Sequence, residues 1–282
     1  YNTGGSTSIT YKSTPLYRNG TTLLNPNLSM IIDTVYQIST NDSSGNNSTI
    51  EYSYEGGYYY YGGAFDTKLA GFSKVIKTED PASPLNRTIS HYHQGNDSNS
   101  GQGEYDDHIS KVGKKYREEI YDSNWNLQKK VINTWDKLPL SNGRHFVRLA
   151  NTLESIYDGN SSHKDRAESF GYDADNGNKI EITSWGEVNG QDNGVFIDTG
   201  SDKYLTTIVY ASNPTNYVIG LPAYELIKDQ SETKIKETLY YYDGLGFAQV
   251  DKGNRTMDQF WRAGSKYIDI ERTYNNLSLI HI

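Results

Sequence analysis

Lys115 to Asp136 reads KYREEIYDSNWNLQKKVINTWD. A β-rich run ends in Tyr121, Asp122 opens a polar turn with Ser123 and Asn124, and a second β-rich run follows from Leu127 to Trp135. In that second run Val131 and Asn133 alternate against Ile132 and Thr134, the period of two that marks a half-buried strand. The logic is local. A tyrosine ring packs on its cross-strand neighbour, and the aspartate carboxylate accepts from turn amides two residues on. Two variants recur, Lys236 to Asn254 (KETLYYYDGLGFAQVDKGN) and Glu168 to Val188 (ESFGYDADNGNKIEITSWGEV). The Tyr-Asp pair stands at Tyr105-Asp106, Tyr121-Asp122, Tyr157-Asp158, Tyr172-Asp173 and Tyr242-Asp243, more often than composition alone would give. These residues are the candidate structural turn positions. Repetition of this size points to an array built by adding hairpins.

The rest of the chain keeps the same grammar. No segment sustains apolar spacing at i, i+3, i+4 and i+7, so helix does not organise it. Ser48 to Tyr54 sets Ile50, Tyr52 and Tyr54 against Thr49, Glu51 and Ser53. Gly71 to Thr78 puts Phe72, Lys74 and Ile76 on one side and reads as half-buried. Further strands are predicted over Thr88 to His93, Tyr116 to Tyr121, Lys179 to Trp185, Lys203 to Ala211 and Lys234 to Tyr242. Asp42-Ser43-Ser44-Gly45-Asn46, Asp122-Ser123-Asn124, Asp173 to Gly177 and Asp243-Gly244 carry the chemistry of chain reversal. Asn96 to Gly103 and Asn189 to Gly194 read as exposed low-complexity loops. Leu138 to Leu153 is the one place where a short helix fits. The predicted class is therefore all-β, antiparallel strand–turn repeats forming a large curved sheet with little helix.

Composition bounds the rest. At 282 residues the chain is one large β domain or two ordinary ones. A mean hydropathy of −0.75 would suggest disorder by itself. Disordered chains lack aromatics, however, and this one has 25 Tyr, 7 Phe and 4 Trp. A tyrosine ring buries apolar area while its hydroxyl stays wet, which suits a sheet with one damp face. The net charge of −8, with no cluster of Lys or Arg, excludes nucleic acid as a partner. No run of eighteen apolar residues spans a membrane. The absence of cysteine excludes a disulfide scaffold and thiolate metal sites. With Tyr1 in first place and no signal peptide, the native chain is expected to begin upstream. Leu277 to Ile282 (LSLIHI) resembles the translation of a transposase adapter used for sequencing libraries, and it interrupts a tyrosine turn opened at Tyr274-Asn275-Asn276. The native chain is expected to continue past Asn276 with a glycine-containing turn.

The repeat copies resemble the YD (RHS) repeats that build the shells of bacterial polymorphic toxins and of teneurins. A closer resemblance lies upstream. Asn25-Pro26, then Ile31 to Tyr36, then TIEYSYEGGYYYYGGAFDTKLAGFSKVIKTED is similar to the middle region of the B component of insecticidal Tc toxin complexes, the SpvB/TcdB-like region. Its Tyr-Ser-Tyr strand corresponds to Tyr52 to Tyr54, its Gly-Tyr loop to Gly56 to Tyr61, and its acidic-basic-Gly-Phe segment to Asp66 to Phe72. The following strand corresponds to Lys74 to Thr78. The pattern continues through HQGN (His93 to Asn96), Gly113 to Asp122, Ser201 to Pro222 and Glu237 to Gly244, and covers most of Leu23 to Thr273. The repeats are degenerate and unevenly spaced, and Pro139 to Asp165 matches little. The resemblance implies part of a hollow β-shell that encloses an unfolded toxin polypeptide in a secreted or surface-exposed bacterial protein. Family members cleave their cargo with an aspartate-based site at the far end of the shell, and no counterpart of that segment stands here. The implied partners are the rest of the protein's own longer chain and a C-component-like shell half with its toxin cargo.

Isolated motifs invite chemistry. Val195 to Ser201 (VFIDTGS) has the form of an aspartic-protease loop, in which two carboxylates share a proton. No second Asp-Thr/Ser-Gly occurs, so a two-lobed enzyme is excluded within this sequence. The stretch reads instead as a turn before the strand Lys203 to Ala211, with Asp198 and Asp202 capping loop amides. His91 and His93 alternate on one strand face as two metal ligands would. Two imidazoles still need a third ligand and supporting partners, and none is evident, so the pair reads as ordinary strand histidines. Asp173, Asp175 and Gly177 open like a calcium loop, but glycine occupies the fifth position and no bidentate Glu follows. G-x-S-x-G, H-E-x-x-H and G-x-x-x-x-G-K are absent. No catalytic residue, cofactor or metal site is expected.

The domain reading is therefore a linker or the end of a preceding region at 1–22, a Tc-B middle-region-like β segment at 23–110, a degenerate YD-repeat shell segment at 111–276, and the adapter-like tail at 277–282. The functional expectation is a structural wall. A surface or adhesion YD protein without cargo is the alternative, and an aspartic protease built on Asp198-Thr199-Gly200 is the remote one.

Overall fold

A computed structural model describes residues 4–42, 44–96, 100–274 and 280–281. Two compact units divide the chain, Tyr1–Arg166 with Asn189–Ile197, and Ala167–Val188 with Asp198–Ile282. The first holds β1 (Ser6–Ser13), β2 (Asp33–Asn41), β3 (Asn47–Gly63), β4 (Asp66–Glu79) and β5 (Asn86–Tyr92). It also holds β6 (Lys115–Asp122), β7 (Leu127–Pro139) and β8 (His145–Ile156). Residues of β9 (Lys164–Tyr172), β10 (Lys179–Gly190) and the short β11 (Phe196–Asp198) belong to both units. The second holds β12 (Tyr204–Asn213), β13 (Val218–Asp229), β14 (Lys234–Tyr242), β15 (Arg255–Ala263) and β16 (Lys266–Glu271).

These 16 strands, counted among the described residues, form one sheet. Its order follows the chain from β1 to β10 and on from β12 to β16, with β11 paired to β10 beside the path. Pairing is antiparallel from β1 to β8, between β10 and β12, and from β12 to β16. Short reversing turns make most of these steps, since a strand leaving a tight turn falls beside the one that entered it, and the longer connections at 14–32 and 93–114 also return the chain to the adjacent strand. Helical turns among the described residues are single 3-10 turns. Every strand predicted from the sequence lies within an observed one, save that His93 and Lys203 fall just outside theirs, and most observed strands are longer. Ser48 to Tyr54, for example, is the middle of β3. The stretch read as a linker or the end of a preceding region at 1–22 contributes β1, which pairs with β2.

In the first unit tyrosine does the work of an aliphatic core. Tyr17 is 2% exposed and meets Tyr54 edge-on with ring centres 5.6 Å apart, while Tyr54 meets Phe72 at 4.9 Å. Both hydroxyls are satisfied inside: Tyr17 by Thr34 Oγ1 at 2.8 Å, and Tyr54 by donation to Val35 O at 3.0 Å. Burial, followed by the nearby Tyr17, Tyr52 and Tyr92, pushes the Tyr54 phenol up to about 12. Ile132 and Leu153 are fully buried nearer the middle of the unit's strands. The second unit has its own cluster of Ala211, Ala223, Tyr242 and Val250, flanked by Val218, Leu221, Tyr240 and Ala248.

Three expectations need correction. Leu138 to Leu153 contains no α-helix. Ser141–Gly143 is a single 3-10 turn, and β8 pairs with β7 from His145↔Pro139 to Ile156↔Lys129. A register shift between Leu149 and Asn151 inserts one residue and interrupts the alternation of the strand. The segment Gly56 to Tyr61 is not a loop. It continues β3, with Gly56 in the left-handed region at φ 64° and the register shifting between Tyr58 and Tyr59. Finally, the loops at Asn96 to Gly103 and Asn189 to Gly194 are not wholly exposed. Asp97 to Asn99 lie outside the described residues, while Gly103 and Gly194 are both buried against Ile132. A Cβ at Gly103 would stand 2.6 Å from Ile132 Cγ2, which is why glycine caps this core residue.

Candidate functional site

The aspartate turns are the most regular feature of the molecule. At Asp122, Oδ1 accepts from the backbone N of Asn124 (2.8 Å) and Asn126 (2.9 Å), while Oδ2 accepts from the Asn126 side-chain amide (2.9 Å). Asp42 repeats the arrangement with Ser44 and Asn46, and Asp229 repeats its backbone half with Ser231 and Thr233. In all three the Asp backbone N donates to the carbonyl four residues on. The third residue after the aspartate is left-handed: Gly45 at φ 93°, Trp125 at 65° and Glu232 at 64°. Amide donation from Asn46 and Asn126 holds the Asp42 and Asp122 carboxyls below their ordinary value. The sequence reading found Asp42 and Asp122 but not Asp229. The spacing Asp-x-x-x-Asn/Thr is the signal that would have found it.

The Tyr-Asp positions divide by role. Tyr242 is 4% exposed, and its hydroxyl donates to Pro222 O at 2.7 Å. Asp243 Oδ2 accepts from the backbone N of Asp251, Lys252 and Gly253, and Oδ1 from Asn254, at 2.8–3.0 Å. Tyr121 is half-buried against Trp125 with ring centres 5.6 Å apart. Asp173 accepts from Asp175 N and Asn176 N beside the half-buried Tyr172. Asp158 takes a left-handed backbone at φ 48°, and Tyr157 is tied to Gln128 through its backbone N. Gln128 also donates from its side chain to Asp122 Oδ2 at 3.3 Å, so two of the five pairs meet. Tyr105-Asp106 departs from the scheme. It lies in a turn between β5 and β6 rather than at the end of a strand, with Tyr105 55% exposed and Asp106 bound to Lys137 at 3.1 Å.

A second class of residue is buried and polar. Gln94 is 2% exposed and its amide donates to Gly56 O (2.8 Å) and Gly71 O (3.0 Å), fastening the bent middle of the β3–β4 hairpin. Asn25 clamps the same place, donating to Tyr54 O at 3.0 Å and accepting from Gly57 N at 2.8 Å. Next to Gln94, His93 is fully buried with Nδ1 2.9 Å from Asp107 Oδ1. Glu104 and Asp107 are each 4% exposed, and a ring nitrogen of His93 with one carboxylate oxygen from each lies in a group no wider than 4.8 Å. The reading of His91 and His93 as ordinary strand histidines without a third partner is thus corrected for His93. Its partners come from a segment 11 and 14 residues away, across a loop. His91 is half-buried and only faces the Tyr116 ring at 5.9 Å. Burial works to raise the Asp107 carboxyl, but donation from His93 and from the backbone of Asn96 and Gly95 outweighs it and holds the group far below its ordinary value.

The Asp-Thr-Gly stretch begins on the last residue of β11 and runs into the turn after it. Asp198 Oδ1 accepts from Gly200 N at 3.3 Å, and the Asp202 carboxylate accepts from Glu187 N at 3.1 Å.

By structure the chain is similar to TcdB2-TccC3 without its hypervariable C-terminal region, with a TM-score of 0.65 and 12% sequence identity. The match covers 92% of this chain and 17% of that one. The fold is Tc-toxin-like. No family model matches the sequence, and no curated protein matches it either. At 12% identity the likeness speaks for the fold alone, and the chain spans 17% of the TcdB2-TccC3 chain. Among the described residues no helix is long and apolar enough to cross a membrane.

Proposed function

We propose that this chain is a structural wall segment of a Tc-toxin-like β-shell, one that encloses a toxin polypeptide in a secreted bacterial protein and carries no catalytic site of its own. The observation that supports it is the sheet. Its strands add in chain order, and the fold matches TcdB2-TccC3 over 92% of the chain. Among the described residues the sheet begins and ends on strands that pair on one side only, β1 and β16. Ile9 and Tyr11 of β1, and Tyr267, Ile268 and Ile270 of β16, are 37–60% exposed. Unpaired edges with exposed apolar residues are what further strands of the same wall would cover. The partners on this reading are the rest of the longer chain and a C-component-like half with its cargo.

Electron cryomicroscopy of the complete natural protein tests the reading. A hollow particle with this segment in its wall and weak density inside is expected. A solid particle, or a chain that carries a cell-wall anchor and no toxin domain, would replace containment by adhesion.

The non-catalytic part of the proposal is tested at Asp198, whose carboxylate bonds its own turn. Asp198→Asn should leave any peptide cleavage unchanged and shift stability by only about 1 kcal/mol. Pepstatin-sensitive cleavage that disappears with this substitution would restore the protease reading.

A further inference from the structure

His108 caps the 3-10 turn Ile109–Lys111 with its ring. Nδ1 accepts from Ser110 N at 3.2 Å and lies 2.9 Å from Ser110 Oγ. A backbone N–H can only donate, so Nδ1 carries no proton here and the ring is neutral. An asparagine, serine or threonine cap keeps its acceptor in mild acid, whereas histidine gives its acceptor up when it takes a proton. The turn packs on β7 and β8, and the ring of His145, at the head of β8, stands 4.6 Å from that of His108. Charge around the two rings is uneven. Lys137 reaches His108 from β7, and Lys111 and Asp106 reach it from its own segment. Asp106 is already shared, with Lys137 Nζ at 3.1 Å and Lys111 Nζ at 3.9 Å. Asp136 of β7 is bound to Arg148 of β8 at 2.9 Å, and Lys114 lies over the Trp135 ring. Asp107 is turned inward, to His93 at 2.9 Å and Asn96 N at 2.8 Å. Lys111 is fully buried with Nζ donating to Tyr105 O at 2.7 Å, and burial holds its ammonium below its ordinary value.

We propose that the turn Ile109–Lys111 is an acid-released latch on the β7–β8 hairpin. A proton on His108 removes the acceptor that caps the turn and adds a cation where two lysines already share one aspartate, so the turn leaves the hairpin and Lys111 swings into water. Two anchors bound the movement. Asp107 stays tied to His93, a pair that a proton on His93 would tighten, and Gly113 N stays on His93 O at 3.0 Å. Ile109 lies on Gly95, where a Cβ would stand 2.8 Å from Ile109 Cα. Release therefore uncovers Gly95, beside the Gln94 amide that fastens the β3–β4 hairpin. The direction in pH follows from the surroundings of His108. Burial, then Lys137 and His145, hold its imidazole below the ordinary value. The docked turn is thus favoured above the unfolded value of about 6.5, and that support is lost as pH falls through the folded value. Between the two values, one proton taken up on opening raises the opening constant about tenfold per pH unit. The latch stands whether or not the chain is a wall.

The test is hydrogen exchange read by mass spectrometry on the 282-residue chain, with each rate referred to that of an unstructured peptide at the same pH. Between about pH 7.5 and about pH 5, the peptide that carries the amides of Ser110, Lys111 and Val112 should lose about tenfold or more of its protection. Peptides from β12 to β14 should keep theirs. His108→Asn retains a cap acceptor and cannot take the charge, so its turn should stay protected across the same range. His145→Gln removes the second ring and should move the release to lower pH. Circular dichroism checks that each variant keeps its β content, and if His108→Asn fails to fold, the shift in His145→Gln decides. Association near the isoelectric point of about 5.3 adds protection and acts on parent and variants alike. Constant protection of these amides in the parent would overturn the proposal. An equal loss in a folded His108→Asn, or release of His145→Gln at the parent's pH, would overturn it as well.

Discussion

Tyr242→Ala is expected to destabilise the second unit by about 3–5 kcal/mol, the range for truncating a buried aromatic ring. The ring is 4% exposed and belongs to one buried cluster with Ala211, Ala223 and Val250, whose small side chains would leave a cavity in its place. Tyr242→Phe separates packing from hydrogen bonding. It removes only the donation to Pro222 O and should cost about 1 kcal/mol. Urea unfolding followed by tyrosine fluorescence and circular dichroism measures both. A loss below about 1 kcal/mol for the alanine variant would mean that the ring is no core residue.

Asp243→Ala should have the second largest effect, about 2–3 kcal/mol, because one carboxylate satisfies four backbone amides from Asp251 to Asn254. The loss is less than four separate bonds would suggest, since the released amides rehydrate in part. Burial tends to raise the Asp243 carboxyl, but the N–H groups of Gly253, Asp251, Asn254 and Lys252 outweigh it and leave it lowered. A lowered carboxyl stabilises the fold above its unfolded value of about 3.9, and that contribution is lost as pH falls through the folded value. The gap between the parent and Asp243→Ala should therefore stay constant in neutral buffers and narrow only below about pH 4. A gap that narrows between pH 8 and pH 6 would contradict this role.

What the sequence disclosed, and what it concealed, follows from the range of the interactions. The hairpin Lys115–Asp136 could be read because everything that makes it is local: alternation on each arm, and an aspartate whose acceptor oxygens reach amides two and four residues on. β8 could not, because an inserted residue at the bulge broke the alternation that identifies a strand. The partners of His93 were concealed for a different reason. Glu104 and Asp107 lie in a segment with no regular period, and only the turn back through Lys111–Lys114 delivers them to the end of β5. HQGN and Asn25-Pro26 were visible as motifs of the Tc resemblance. Their task, to bond the backbone of Gly56, Gly57 and Gly71 in the β3–β4 hairpin, required the fold. Tyrosine in place of Leu and Ile explains how so low a hydropathy still yields cores in both units.

The wall reading makes one demand that a self-contained domain would not. β1 and β16 must have partners, and in the isolated chain those partners are other copies. Multi-angle light scattering over a concentration series, with circular dichroism on the same samples, measures this directly. A β-rich chain whose mass grows with concentration is the result expected of a wall segment. A monomer of constant mass that melts cooperatively would show a sheet complete in itself, and would contradict the account.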